Sequence, residues 1–276
     1  MIKVIVTGAT GHMGKILRGL IEESSEFEVA ALVDPFATGG ATGAATGSSA
    51  GGAAGAATGS SAGGAASESV FIYNNLSEFE GDADVLIDFS SAQGTEALLD
   101  YCKGRGLALV LCTTGQTDEQ KSSLYEAAGS IPLFFSANMS LGVALLSDMV
   151  KRAAAALPDA DIEILEIHHN RKVDAPSGTA LLLANAAKAS RPELNVVAGR
   201  SGSSKREAND ISISSIRMGD VVGTHEVMFN MGADTITLKH EAHDRALFAH
   251  GALRAAKFLI GKPAGLYDME ALVKEL

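Results

Sequence analysis

The sequence predicts an α/β protein in two parts: a doubly wound parallel sheet, then an α+β unit with a mostly antiparallel open sheet. Three observations predict this. Short apolar runs alternate with segments of helical periodicity through the first half of the chain. A glycine-rich turn joins the first run to the first helix. In the second half three β-type runs follow one another with only Gly/Asp turns between them.

Taken in order, Ile2–Val6 is a short apolar strand, and Met13, Ile16, Leu17, Leu20 and Ile21 follow at helical spacing. Glu28–Val33 is the second strand. Asp84–Phe89 and Leu107–Leu111 are apolar runs of the kind that a sheet buried on both faces requires, with a helix over Thr95–Lys103 between them. Thr117 and Gln120 form a capping box for the next helix, and Pro132–Phe135 is another short strand. Leu141–Leu157 is a long helix stopped by Pro158. Ile162, Ile164 and Leu165 belong to a strand, and another helix follows. Ile211–Arg217, Val221–Phe229 and Thr235–His240 are then expected as antiparallel neighbours, with turns at Gly219-Asp220 and Gly232-Ala233-Asp234. Ala246–Leu259 is a helix placed to return onto the first sheet. The division into domains that follows is 1–137 with 246–276, and 138–245.

One segment departs from this pattern. Ala37–Ala66 uses only Ala, Gly, Thr and Ser, and GAATGSSAGGAA occurs twice in succession, at Gly43–Ala54 and Gly55–Ala66. Without charge or large apolar side chains it cannot bury enough surface to offset its ordering entropy. Residues of about 37–67 therefore read as a low-complexity surface insertion between two strands; the alternative is an ordered glycine-rich arm touching a partner. Two short repeats lacking apolar positions cannot stack as a solenoid.

The 276 residues include 22 Lys plus Arg against 33 Asp plus Glu, a net charge of −11. That balance argues against nucleic acid as a partner, because binding a phosphate backbone needs a basic face. It leaves room for small anions met by a local basic patch. Cys102 and Cys112 are the only cysteines, so neither a disulfide framework nor a thiolate zinc site is expected, and a cytoplasmic location fits. MIKVIVTGATG lacks a signal-peptide pattern. The apolar stretch Ile131–Ser147 is interrupted by Pro132, Asn138 and Gly142, so no membrane span is expected.

Two stretches carry chemistry. Gly8-Ala9-Thr10-Gly11-His12-Met13-Gly14 lies between the first strand and the first helix, a GxxGxxG variant of the dinucleotide turn. Its glycines permit a tight turn and close backbone approach, and the helix N-terminus offers N–H groups to a pyrophosphate. Asp34 ends the second strand, where an acid can accept from an adenosine ribose. The context marks a Rossmann-type domain. A carboxylate at Asp34 repels a 2′-phosphate and favours NADH; a protonated His12 would offset part of that, so NADH and NADPH both remain open. The second stretch is Glu166–Ala180. His168, His169, Arg171 and Lys172 crowd together where a strand runs into a loop, and Ser177 is an N-cap with Gly178 and Thr179 opening the helix. Cationic groups beside a helix N-terminus suit a carboxylate. Successive strand residues face opposite ways, so both histidines share a site only if the strand ends there. The spacing offers no third metal ligand, and no metal is expected.

The stretch EIHHNRKVDAPSGTA closely resembles the signature of the 4-hydroxy-tetrahydrodipicolinate (dihydrodipicolinate) reductase family. VTGATGHMG, VLIDFSSAQGT, CTTG at Cys112–Gly115, SANMSLGV at Ser136–Val143, GDVVGTHEVMF and GLYDM resemble it in the same order. The resemblance implies a dinucleotide domain, a substrate domain that assembles a homotetramer, and NAD(P)H-dependent reduction of a cyclic imine dicarboxylate in lysine and diaminopimelate biosynthesis. It implies His168 as proton donor/acceptor and Lys172 as proton donor. His169, Gly178 and Thr179 become substrate contacts, with Arg245 a further candidate. Gly8, Ala9, Thr10, Gly11, His12, Met13, Asp34, Cys112, Thr113, Thr114, Ser136, Ala137, Asn138 and Met139 become the dinucleotide contacts. The chain departs from the family in three places: Cys112 stands where glycine is usual, His12 where arginine is frequent, and the insertion follows Asp34. Another imine or amino-acid dehydrogenase would share the glycine turn without needing HHNRKVDAPSGT. A non-catalytic dinucleotide sensor would lack the proton donors.

Overall fold

The computed structural model describes residues 1–36 and 72–276; the expected insertion at about 37–67 lies outside the described residues. In chain order the first elements are β1 (Ile2–Thr7), α1 (His12–Glu22), β2 (Phe27–Val33), β3 (Ile72–Tyr73), β4 (Val85–Asp88), α2 (Thr95–Arg105), β5 (Ala108–Leu111), α3 (Asp118–Ala128) and β6 (Pro132–Phe135). There follow α4 (Leu141–Ala156), β7 (Asp161–His168), α5 (Gly178–Ser190), β8 (Asn195–Ala198), β9 (Asp210–Arg217), β10 (Gly223–Asn230), β11 (Thr235–Ala242), α6 (Ala246–Leu259), β12 (Gly265–Tyr267) and α7 (Met269–Lys274).

The first sheet is wholly parallel, in the order β12-β6-β5-β4-β1-β2-β3. Its strands are apolar throughout because both faces are covered. Val4, Val6, Ile87, Val110 and Phe134 pack on one side with Leu17 and Ile21 of α1 and the alanines of α6. Ile5, Leu86, Leu109 and Leu133 pack on the other with Leu98, Leu99 and Leu124 of α2 and α3. The small side chains of α6 let that helix return across the sheet, as its composition suggests. The order reverses between β1 and β4, which opens a crevice at the carboxyl ends of the strands. The edge strands β3 and β12 are too short for any periodicity to announce them.

The second sheet has the order β11-β10-β7-β9-β8 and is mixed, not mostly antiparallel. β10 pairs antiparallel with both β7 and β11, whereas β7–β9 and β8–β9 are parallel. The hairpin expected at Gly232-Ala233-Asp234 is present between β10 and β11. The neighbour pair expected at Gly219-Asp220 is not, since β7 lies between β9 and β10. Two strand spacings span about 10 Å, within reach of a short loop, so a Gly-Asp turn does not distinguish a hairpin from a connection that crosses one strand. Here the loop is pinned to the end of β7: the Met218 N–H donates to the His168 carbonyl at 2.9 Å and the Asn170 N–H to the Gly219 carbonyl at 3.1 Å.

Helices α4 and α5 cover one face of this sheet through Leu146, Val150, Leu183, Ile162, Ile164, Val227 and Phe229. On the opposite face Leu165, Ile167 and Met228 are half-buried and Ile216 is 39% exposed. Among the described residues no helix is long and apolar enough to cross a membrane.

The capping box of α3 is formed as its sequence predicts: Thr117 Oγ1 accepts from the Gln120 N–H and Gln120 Oε1 from the Thr117 N–H. Thr117→Ala is expected to lower stability by about 1 kcal/mol, read as a lower urea midpoint at unchanged slope. No change in midpoint would show that the box contributes nothing to folding.

Candidate active site at the carboxyl edge of the parallel sheet

The glycine turn is closely packed. Gly8 has φ +70°, and a Cβ on Gly14 would lie 2.2 Å from the Gly8 carbonyl oxygen, so the start of α1 is pressed onto the turn. Helix α1 has neither a side-chain cap nor an acid in its first turn, unlike α3, whose N-cap Thr117 and first-turn acids Asp118 and Glu119 supply both. Its first N–H groups are therefore left for an external acceptor. Asp34 is buried beside it. Asp34 Oδ2 accepts from the Thr10 N–H at 2.9 Å and the Thr10 hydroxyl at 2.5 Å, and Oδ1 accepts from the Phe36 N–H. Burial pushes its pKa up, but these hydrogen bonds outweigh burial and hold it below the usual carboxylate range. The acid singled out for a ribose thus also braces the glycine turn.

A second acid braces the neighbouring loops. Asp88, fully buried at the end of β4, accepts from the hydroxyls of Thr7 (2.6 Å), Ser90 and Thr113. Thr113 is therefore turned toward the sheet, and Thr114 is exposed. Burial, and then the Asp88 carboxylate, push the Cys112 thiol well above its ordinary value, so Cys112 meets its surroundings as a neutral thiol.

A cleft of about 790 Å³ opens between the two sheets. Met13, Cys112, Ala137, Asn138 and Met139 line one side, and His168, His169, Lys172, Gly178, Thr179 and Arg245 the other. Gly8, Ala9, Thr10, Gly11, His12, Asp34, Thr113 and Thr114 do not line it; the turn and Asp34 lie around the ends of β1 and β2. Ser136 borders a separate groove of about 630 Å³ beside α4 and α7. Asn138 bridges the two sides: its Nδ2 donates to Thr179 Oγ1 at 2.9 Å while its Oδ1 accepts from the Ser140 N–H.

Strand β7 ends at His168, so His169 is free of the strand alternation and both histidines reach the cleft. Arg245 Nη2 lies 3.5 Å from His169 Nε2. Lys172 pairs with Asp174 at 2.8 Å. Ser177 caps α5 through its Oγ, which accepts from the Ala180 N–H, and the helix opens into the cleft at Gly178 and Thr179.

Sequence reasoning missed three members of this site: Glu166, Arg217 and His225. The alternation Ile162, Ile164, Glu166, His168 was the available signal, since it places an acid on the inward face two residues before a histidine. Glu166 is 0% exposed and takes the Arg217 guanidinium in a two-pronged contact at 2.7 and 2.9 Å. Burial alone would raise its pKa, but hydrogen bonds from Arg217, Ser215 and His168 carry it down to about 2. His225 is buried edge-on to His168, with ring centroids 5.1 Å apart. Burial, then the neighbouring His168, lower its pKa to about 4. Burial also lowers the pKa of His168, against the opposing pull of Glu166.

A dinucleotide-type turn on a doubly wound sheet, facing a cationic cleft on a second sheet, defines an oxidoreductase built in two parts. The chain belongs to the dihydrodipicolinate reductase family: the family model of the N-terminus matches residues 2–139 and that of the C-terminus residues 142–273. The 4-hydroxy-tetrahydrodipicolinate reductase of Clostridium novyi (strain NT) is 40% identical over 276 residues, covering 99% of both chains. That of Caldanaerobacter subterraneus subsp. tengcongensis is 40% identical over 282 residues, covering 100% of this chain and 99% of the relative. Among solved structures, the dipicolinate-bound dihydrodipicolinate reductase from Paenisporosarcina sp. TG-14 has the same fold, with a TM-score of 0.75 and 23% identity over 100% of both chains.

The buried histidine sets a pH dependence. Unfolded, His225 takes a proton near pH 6.5; folded, only near 4. Between those values the unfolded chain binds more protons, so stability falls as pH drops from about 6.5 to 4. Glu166 adds a loss that begins below about 4.5, as pH falls toward its folded value of about 2. Urea midpoints measured from pH 7 to 4.5 are expected to decline, and His225→Asn to flatten the decline. An unchanged slope in His225→Asn would refute the assignment.

Proposed function

We propose that this chain uses NADH or NADPH to reduce the cyclic imine derived from 4-hydroxy-tetrahydrodipicolinate to tetrahydrodipicolinate, a step of lysine and diaminopimelate biosynthesis. The observation that carries this reading is the cleft itself, in which His168, His169, Lys172 and Arg245 face Met13 and Cys112 at the carboxyl edge of the parallel sheet. Family membership and the names of the full-length relatives support it.

The uncapped start of α1 and the tight Gly8–Gly14 packing fit a pyrophosphate, with Asp34 beside the turn for the ribose. The remaining dinucleotide contacts of the reading are Cys112, Thr113 and Thr114 after β5 and Ser136–Met139 after β6. When bound, the reduced nicotinamide supplies a hydride. The chain's own residues hold and protonate the substrate. The substrate is a small dicarboxylate, and His169, Arg245 and the N–H groups of Gly178 and Thr179 provide the complementary donors. In this reading Lys172 and His168, which line the cleft, protonate the imine nitrogen; Lys172 also pairs with Asp174 at 2.8 Å. The same reading gives residues 1–137 with 246–276 to the dinucleotide, and 138–245 to the substrate and to self-association as a homotetramer. The open sheet face with Leu165, Ile167, Ile216 and Met228 supports that self-association. Two free cysteines support a cytoplasmic setting.

The test is oxidation of NADH and of NADPH, followed by absorbance, with enzymatically generated 4-hydroxy-tetrahydrodipicolinate. Turnover is expected with at least one cofactor; none with either would sink the reading. Lys172→Ala and His168→Ala should each lower kcat by about 10²–10⁴-fold, and unchanged turnover would refute their roles. Light scattering should report a tetramer that Ile216→Lys dissociates; an undisturbed mass would move the interface elsewhere.

A further inference from the structure

A histidine serves proton transfer only if the nitrogen facing the substrate is in the right state, and that state is set by what the other nitrogen touches. In His168 the engaged nitrogen is Nδ1, 2.5 Å from Glu166 Oε2. Among the described residues Nε2 has no hydrogen-bond partner. It lies on the side of Gly223, where a Cβ would stand 3.0 Å away, so the glycine leaves that side of the ring open.

Glu166 itself is held on every side. Arg217 Nη1 and Nη2 donate to its two oxygens, and the Ser177 N–H donates to Oε1 at 3.2 Å. Arg217 is fixed in turn by the Asp174 and Ile216 carbonyls. A carboxylate ionised by this many donors can only accept. Ser215 hydrogen-bonds to it as well, and His168 Nδ1, in contact with Oε2, must then carry a hydrogen. The charged and titratable groups around the ring are Glu166, Arg217, Lys172 and His225.

We infer that Glu166 is a positioning residue for His168: braced by Arg217 and Ser177, it keeps the ring hydrogen on Nδ1 and leaves Nε2 as the free acceptor toward the cleft. It also compensates the ring's charge whenever Nε2 takes up a proton from solvent, which then passes to the substrate nitrogen as hydride reduces the imine. The inference rests on the role proposed above for His168. A metal site is the competing use of these groups, because ligand atoms of Glu166, His168 and His225 lie within 4.8 Å of one another. The Arg217 fork already occupies both carboxylate oxygens with a cation, which disfavours a second one.

The experiment combines imidazole ¹⁵N NMR with kinetics on the full chain. In the unsubstituted protein at neutral pH, His168 should show a protonated Nδ1 and an unprotonated Nε2; the reverse tautomer overturns the inference, whatever the variants do. Glu166→Gln should shift that tautomer and lower kcat about 10²-fold, with the KM for the dinucleotide unchanged. The alkaline limb of its kcat profile should move to lower pH, because the group favouring the protonated ring is gone. In a His168→Gln background, Glu166→Gln should cost no further turnover; an additive loss would show that Glu166 acts elsewhere. Normal kcat in His168→Gln would refute the proton-transfer role proposed above for His168 and leave the tautomer result standing. A Glu166→Gln chain with unaltered tautomer and turnover would refute the positioning role alone. Tighter binding of added Zn²⁺ by the unsubstituted chain than by His225→Asn, with Arg217 displaced from Glu166, would overturn it in favour of a metal site.

Discussion

A single buried carboxylate couples the second sheet to the cleft. Glu166 lies on the inward face of β7, between apolar Ile164 and His168, where an unpaired charge would cost several kcal/mol. It is tolerated because Arg217 on β9, the N–H of Ser177 at the start of α5 and His168 all converge on it. Those partners come from three separate elements. Satisfying one charge therefore sets the register of β7 against β9 and brings the α5 N-terminus to the end of β7. Removing one member of such a pair costs about 3–5 kcal/mol, so the fold and the site cannot be varied independently here.

The parallel sheet uses the same device twice. Asp34 directly follows β2 and Asp88 ends β4 at the carboxyl edge, and each is buried and satisfied by N–H and hydroxyl groups around it. Buried polar groups that are fully paired rigidify their surroundings. The glycine turn hangs from Asp34, and the loops after β1, β4 and β5 hang from Asp88. Part of the chain's acidity thus serves as internal bracing around the crevice. The cations that face the cleft, Lys172 and Arg245, come from the opposite side.

What could be read from the residues follows the range of the forces involved. β1, β4, β5 and β6 are legible because burial on both faces leaves an unbroken apolar run. The α3 box and the Ser177 cap are legible because both partners lie within three residues. Both histidines, Lys172, Gly178 and Thr179 of the local cluster line one cleft and Arg245 joins them from far along the chain, whereas Thr113 turns to Asp88 and Ser136 to a different groove. The order of β7, β9 and β10 is not legible, since a Gly-Asp turn serves a hairpin and a one-strand crossing equally well.

By itself the sequence determined the two-part α/β plan, the dinucleotide-type turn, the helix starts and the local cluster of His168, His169 and Lys172. All of these are local patterns, set by side-chain periodicity and by groups a few residues apart. Only the tertiary structure decided which strand adjoins β7, and hence that Arg217 meets Glu166 from 51 residues away. Pairing at that distance depends on the free energy of the assembled sheet, in which burying one carboxylate must be balanced by every donor the fold can bring to it.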